Sequence, residues 1–418
     1  MESWQVCSLE EVVKFIDYRG KTPKKTEDGM RLITAKNVKM GYLQSEPMEF
    51  VDPEIYDRWM TRGIPKEGDV LFTTEAPLGN VTQLDTDEKV VFAQRIIVMQ
   101  PNREMLDSTF LKYMLLSNLM QERIRAKGTG ATVQGIKSQL LKKILISFPR
   151  SLLEQKRIVS IVDQAFEGID GAIANTKKNL ANARELFESY LNAIFTQKGD
   201  GWKEKKLGDI ATFRNGLNFT KNSKGGAIKI AGVKDFQNNF WLQEDQLESV
   251  IIDGELKEID ILRKGDILTV RSNGNKELIG RCILVSDLSE KTSHSGFTIR
   301  IRIEREDIYL PFIVHFLKSK KLRKQLTESG GGINISSLNQ QGLSLIMMSF
   351  PSFMEQKAIV AGIDDLAIET QRLEAIYRRK LAALTELKQS ILQKAFTGEL
   401  TADTANQTTK KAEEAIAA

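Results

Sequence analysis

The sequence predicts an α+β chain written twice. Two globular α+β domains each run into one long helix, and the two helices pair antiparallel as a coiled coil with pseudo-twofold symmetry. Three observations predict it. Residues 147–159, SFPRSLLEQKRIV, return as SFPSFMEQKAIV at 349–360. EGDVLFT at 67–73 returns as KGDILTV at 264–270, and the pair Trp4 and Leu9 returns as Trp202 and Leu207. Behind each SFP the apolar residues step by threes and fours for about forty residues, which is the spacing of a helix with one stripe for a partner helix.

The elements follow in order. Domain 1 (1–150) carries short β-branched and alternating runs, RLITAKNV, DVLFTTE and VVFAQRIIVMQ, broken by Gly, Asn and Asp, so strands and turns are expected. One helix is expected over TFLKYMLLSNLMQERIRAK. Pro149 ends the last strand, because proline cannot continue a ladder. Ser151 stands three residues before Glu154, the spacing of a capping box, and opens helix 1 (151–197). Its stripe is Ile158, Val162, Ala165, Ile169, Ala172, Thr176, Leu180, Ala183, Phe187, Tyr190 and Ile194. At about 1.5 Å per residue this helix is roughly 60 Å long, more than one domain needs. Ala172 and Ala183 let a facing helix come close.

QKGDG leads into domain 2 (198–351), with strands expected in AIKIAGV, DILTV, RCILVS and SGFTIRIRI and a helix in YLPFIVHFLKSKKLRKQL. Pro351 closes it. Ser352 and Glu355 repeat the cap, and helix 2 (352–400) carries Ile359, Ile363, Leu366, Thr370, Leu373, Tyr377, Leu381, Leu384, Ile391 and Ala395. Helix 2 leaves domain 2 with only helix 1 to pair with, so the two run antiparallel. The small, polar tail 401–418 is expected to be disordered.

Composition bounds the rest. The 418 residues suffice for two or three cores, and 60 Lys+Arg against 55 Asp+Glu gives a mild +5. Two cysteines fit a reducing compartment, and two histidines with no C-x-x-C cannot make a His-rich metal site. His315, in an apolar helical run, is expected to be packed. An acidic N-terminus and the lack of any apolar run near the roughly 20 residues of a span point to a cytoplasmic protein.

The tandem order of variable domain and F-P…E-Q-K helix, the two G-D-[VI]-L strands and the AFTGEL ending at 395–400 resemble the specificity (S) subunits of type I restriction-modification enzymes, the HsdS family. The likeness spans roughly 4–400. Members usually carry a second proline before E-Q; here Arg150-Ser151 and Ser352-Phe353 depart from that. The resemblance implies that 1–150 and 198–351 are target-recognition domains, each reading one half of a bipartite, asymmetric site on double-stranded DNA. It implies that the helices dock two methyltransferase (M) subunits, through which restriction (R) subunits attach. It implies no cofactor in this chain, S-adenosylmethionine in the M subunits, and ATP and Mg²⁺ in the R subunits.

Basic and amide residues crowd the loops where a reader needs them, since Arg and Lys pair with guanine or phosphate and Asn with adenine. The DNA-binding candidates in domain 1 are Arg19, Lys21, Thr22, Lys36, Asn37, Thr73, Thr74, Asn80, Arg125, Lys127 and Thr129. In domain 2 they are Arg214, Asn218, Lys221, Lys234, Arg271, Asn273, Lys276, Lys321 and Arg323. At the helix starts, a lysine in the first turn opposes the macrodipole, so the cap does not explain it. Glu154, Gln155, Lys156, Glu355, Gln356 and Lys357 are therefore the candidates for docking a partner subunit, with contact to phosphate as the alternative for the lysines.

Two rivals are weaker. A self-sufficient enzyme should show N-P-P-[YF] or D-P-P-[YF], and the nearest string, Val51-Asp52-Pro53-Glu54, fails at the second proline. GATVQGIKS at 130–138 departs from a P-loop at Ile136. Asp69 with Asp87-Glu88-Lys89 resembles a nuclease metal site, but its counterpart Ser289-Glu290-Lys291 lacks the first acid. No catalytic and no metal-binding residue is therefore expected. A coiled-coil scaffold that never reads DNA explains the helices but not two large, divergent, Gly- and Asn-rich heads.

Overall fold

The computed structural model describes residues 4–18, 22–93, 95–130, 133–197, 199–236, 239–319, 322 and 338–400. The chain forms two compact units, residues 1–177 with 379–418 and residues 178–378.

In unit 1 the strands are β1 (Trp4–Ser8), β2 (Val13–Asp17), β3 (Lys25–Thr26), β4 (Met30–Ile33), β5 (Glu49–Val51), β6 (Val70–Thr73), β7 (Val81–Gln83), β8 (Val91–Phe92), β9 (Ile96–Pro101) and β10 (Leu145–Pro149). One antiparallel sheet runs β2-β9-β6-β7, a second runs β3-β5-β4-β8 with β4 and β8 parallel, and β1 pairs with β10. The central strands are apolar on both faces because each face is covered. Val70, Phe72, Ile97 and Met99 point to a core beneath the helices, and Leu71, Ile96 and Val98 point to the core between the sheets.

The expected single helix after β9 is two: α1 (Ser108–Leu116) and α2 (Asn118–Ala126). Ser117 breaks it. It adopts extended backbone, donates its hydroxyl to the Met114 carbonyl at 2.7 Å and accepts the Met120 amide at 3.4 Å, starting the second helix as a cap. α3 (Leu152–Thr196), 45 residues long, then leaves the head.

Unit 2 repeats the plan with β11 (Lys203–Lys206), β12 (Thr212–Asn215), β13 (Ala227–Ala231), β14 (Glu248–Ile251), β15 (Ile267–Val270), β16 (Cys282–Leu284), β17 (Thr292–His294), β18 (Thr298–Arg302) and β19 (Met347–Phe350). Its sheets run β12-β18-β15-β16 and β14-β13-β17, with β13 and β17 parallel and β11 paired to β19. α4 (Leu310–Lys318) covers the sheet, and Ser319 bonds the Phe316 carbonyl as Ser117 bonds Met114. The rest of the KSKKLRKQL run lies largely outside the described residues, as does the tail 401–418. α5 (Phe353–Thr397) is again 45 residues long.

The repeated G-D has a local cause. Gly68 and Gly265 sit at φ +83° and +89°, where a side chain is strained. The next residue, Asp69 or Asp266, closes the turn by accepting the amide of Lys66 at 2.8 Å or of Arg263 at 2.7 Å. The same carboxylates then hold the neighbouring strand, Asp69 through Gln100 and Asp266 through a two-pronged pair with Arg302.

Both long helices pass from one unit into the other. In unit 1 the first turns of α3 (Ile158, Val162, Phe166) share a core with the last turns of α5 (Ile391, Leu392, Ala395, Phe396). In unit 2 the last turns of α3 (Phe187, Leu191, Ile194, Phe195) share a core with the first turns of α5 (Ile359, Val360, Ile363), and Arg184 meets Glu374 at 2.9 and 3.0 Å. The start of each helix meets the end of the other, so the pair is antiparallel. The stripe is Ile158, Val162, Ile169, Thr176 and Ala183 as expected, all buried, but it slips at the far end. Tyr190 is 40% exposed while Leu191 and Phe195 are buried, and Leu373 is 38% exposed. The slip follows the head: Phe195 packs 5.4 Å from both Phe312 and Phe316 of α4, so the buried face there is set by α4 as well as by the partner helix.

Candidate nucleic-acid interface

In unit 2 three loops converge at one end of the larger sheet. The turn 295–297 between β17 and β18 is held on one side by the segment after β12, where the Leu217 amide donates to the His294 carbonyl at 2.8 Å and the Gly296 amide to the Leu217 carbonyl at 2.7 Å. On the other side Arg271, just past β15, donates its amide to the Phe297 carbonyl at 2.8 Å. Such close approach needs glycine. A Cβ on Gly216 would stand 2.2 Å from the Ser295 carbonyl oxygen, and one on Gly296 would stand 2.1 Å from Asn218 Oδ1. The structure thus brings together the predicted Asn218 and Arg271, while Asn273, two residues on, accepts the Asn275 amide at 2.8 Å. Asn218 is exposed and Arg271 and Asn273 are half-buried.

Unit 1 builds the same end differently. The Thr74 amide donates to the Arg95 carbonyl at 2.8 Å, and the Ile136 amide to the Thr74 carbonyl at 2.9 Å. Thr129 and Gly135 exchange backbone bonds of 2.8 and 2.9 Å. The end of α2 with exposed Arg125, and the loop after it with exposed Lys127 and Thr129, are thereby tied beside the segment after β6.

Several candidates turn out to hold loops instead. Asn37 is 1% exposed; its amide donates to the Gln44 and Pro47 carbonyls at 3.1 and 3.0 Å and its oxygen accepts from Thr34. Thr73 and Thr74 are buried, with hydroxyls on the Pro77 and Arg95 carbonyls, and Asn80 donates to the Val38 carbonyl at 2.8 Å. Arg214 is paired with the buried Asp260. Asn37, Thr73 and Thr74 are committed to their own loops, so the expectation for them is corrected, whereas half-buried Asn80 keeps a second amide N–H and Arg214, its side chain 36% exposed, keeps the N–H groups beyond Nε. Thr22 and Lys221 are exposed, Lys36 lies 3.6 Å from Glu49, and Lys234 lies 2.5 Å from Glu248. Such surface pairs are weak and leave both lysines able to exchange partners. Arg19, Lys21, Lys321 and Arg323 lie outside the described residues, as does the Lys276 side chain.

At the helix starts the expectation is corrected for the two glutamines alone. Gln155 is fully buried: its oxygen accepts the Asp107 amide at 2.8 Å and its amide donates to the Met105 and Pro149 carbonyls, both at 2.8 Å. Gln356, 1% exposed, does the same with the Tyr309 amide (2.8 Å) and the Asp307 and Pro351 carbonyls (3.1 Å each). Each glutamine clamps its long helix to the loop before the head's helix and is unavailable for docking. Only the hydroxyl half of the cap matches expectation, Ser151 and Ser352 accepting the Glu154 and Glu355 amides at 3.4 and 3.3 Å. The carboxylates turn elsewhere, Glu154 to Arg157 at 3.6 Å and Glu355 to the Trp202 indole at 3.0 Å. Lys357 lies 4.9 Å over the Phe353 ring, a cation–π contact that offsets its place against the helix dipole, and Lys156 is exposed.

Asp69 is 1% exposed and committed to its turn. Among the described residues no cluster of three His, Cys, Asp or Glu could hold a metal ion, and no helix is long and apolar enough to cross a membrane. His315 is packed in α4, and burial pushes its imidazole down to about 4; burial takes His294 to about 3.

Two residues that the sequence reading passed over stand at the centre of these ends: Arg95 and Phe297. Their signal is positional. Each is the residue immediately before the strand that joins the middle of the larger sheet.

A family model for the type I restriction modification DNA specificity domain matches the chain twice, over residues 1–182 and 199–380. The StySPI specificity subunit of Salmonella potsdam is 24% identical over 431 residues, covering 96% of this chain and 90% of that one. The EcoKI specificity subunit of Escherichia coli K12 is 26% identical over 434 residues with the same coverage. Among solved structures, a chain described under complex assembly and conformational transition of the type I R-M system aligns with TM-score 0.73 at 18% identity, over 95% of this chain and 98% of that one. The HsdS subunit of Thermoanaerobacter tengcongensis aligns with TM-score 0.57 at 19% identity, over 95% and 97%.

Proposed function

The chain belongs to the type I restriction-modification DNA specificity family, and on that premise we propose that its two heads read the two halves of a bipartite, asymmetric DNA site. It is the specificity subunit of a type I restriction-modification system. One observation carries the two-word reading: a single frame is built twice, while the side chains displayed on it differ. Turn glycine, turn aspartate, clamp glutamine and sheet order recur from unit to unit. At the converging loops, however, Thr74 stands where the other head has Arg271, and Arg95 where it has Phe297. Protein symmetry matched to half-sites is how dimeric readers work, and unlike heads imply unlike words.

Within the complex the chain itself performs no chemistry. Two methyltransferase subunits carry S-adenosylmethionine, restriction subunits join through them with ATP and Mg²⁺, and the assembly works on cytoplasmic DNA. Exposed Arg125, Lys127, Lys221 and half-buried Arg271 supply phosphate and base contacts. The test is filter binding of the full chain, alone and with its methyltransferase partner. Neutralising about 6–10 phosphates should lower affinity about 10³–10⁵-fold between 50 and 200 mM salt. A flat salt response, or methyl transfer by the purified chain alone, would overturn this reading.

A further inference from the structure

Resting on that reading, we infer that the turn before the last strand of each larger sheet is the base-reading tip of its head, with Arg95 the reader in unit 1 and Phe297 the reader in unit 2. The two positions are structurally equivalent. Arg95 precedes β9 and Phe297 precedes β18. Each carbonyl accepts the amide of the first residue past the neighbouring strand, Thr74 or Arg271, at 2.8 Å. Each is held a second time at 3.3 Å, by the Thr74 hydroxyl or by the Ser272 amide. The main chain is therefore pinned twice while the side chain reaches into solvent. Phe297 is 62% exposed, and the Arg95 side chain is 45% exposed.

A single exposed apolar residue is ordinary on a protein surface. Phe297 differs in its setting, on a pinned turn beside Asn218 and Arg271, groups suited to adenine and to guanine or phosphate. Arg95 has φ +75°, a conformation that non-glycine residues adopt rarely and that persists at functional turns. Its guanidinium lies 3.1 Å from Glu75, but both side chains are nearly half exposed, so the pair is weak and gives way to a stronger acceptor. The chemistry then differs at one point of a shared frame. Arginine presents a fork that matches guanine O6 and N7, whereas phenylalanine offers an apolar face that matches the C5 methyl of thymine.

Methylation mapping on a random-sequence duplex library, with the methyltransferase partner and the full chain, tests this. The variants are Arg95→Asn, since asparagine tolerates positive φ, and Phe297→Ala. Arg95→Asn should relax one guanine position in one half-site, and Phe297→Ala one thymine position in the other. Each effect should be about 5- to 150-fold, the equivalent of about 1–3 kcal/mol per base contact at 1.4 kcal/mol per tenfold. Phe297→Leu, which keeps an apolar tip, should retain most of the thymine preference. Wild-type preference in either single variant overturns the inference and leaves the two-word reading standing. So does an equal loss at both half-sites accompanied by a lower melting temperature, which would mark a structural role. A wild-type complex with no bipartite word would overturn the reading and the inference together.

Discussion

Gln155 and Gln356 each join a helix start to a loop with three hydrogen bonds, and both are buried. Truncation to alanine strands two carbonyls and an amide away from water, at about 1–3 kcal/mol for each unsatisfied group. Gln155→Ala should therefore lower the unfolding free energy by that order, read as a lower denaturant midpoint, and Gln356→Ala likewise. A midpoint shift within error would show that the clamp is idle. Histidine offers a second prediction. Both histidines of the chain lie in unit 2, buried and neutral, with imidazoles pushed down from 6.5 to about 3 and 4. The unfolded chain takes up their protons near pH 6.5, so this stability is complete above that pH and is lost as pH falls toward 4 and 3. The melting temperature should drop between pH 7 and pH 5, and less so in His294→Asn; an equal drop in both would rule out His294 as a source. At this scale the sequence marked E-Q-K as special but not why. An asparagine or threonine in a loop looks the same whether it bonds its own loop, as Asn37 and Thr73 do, or a base.

The long helices were legible because a three-and-four repeat leaves few alternatives, and both SFP punctuations mark their starts to within three residues. The register at the far end was not. Tyr190 and Leu191 are neighbours, and periodicity alone cannot tell which one the fold buries once a third element, α4, takes part in the packing. Leu191→Ala should cost about 2–5 kcal/mol, as buried leucines do, and Tyr190→Ala well under that. Equal costs in chemical denaturation would contradict the observed register. The break between α1 and α2 was hidden for a related reason. Serine inside an apolar run is tolerated in a helix, and only its bonds to Met114 and Met120 make it a boundary.

At the scale of the whole molecule, the repeat was the strongest signal, because a frame built twice must write its turn glycines and strand-ending prolines twice. The surface that reads DNA was the weakest, since divergence between the heads is what different words require. If the helix pair sets the distance between the words, duplicating Leu384-Thr385-Glu386-Leu387 should lengthen it by about 6 Å, with roughly 40° of rotation past one turn. At about 3.4 Å per base pair the spacer should grow by one or two base pairs, with both words unchanged. An unchanged spacer with full activity would mean that something other than these helices positions the heads.

The central claim is that each head reads its own word, and exchanging one head tests it directly. Residues 1–150 would be replaced by the corresponding region of a relative such as the EcoKI specificity subunit, and the chimera's methylation pattern mapped with the methyltransferase partner present. One half of the recognised site should change while the other half and the spacer stay as in the parent. A change in both halves, or in neither, would contradict the account.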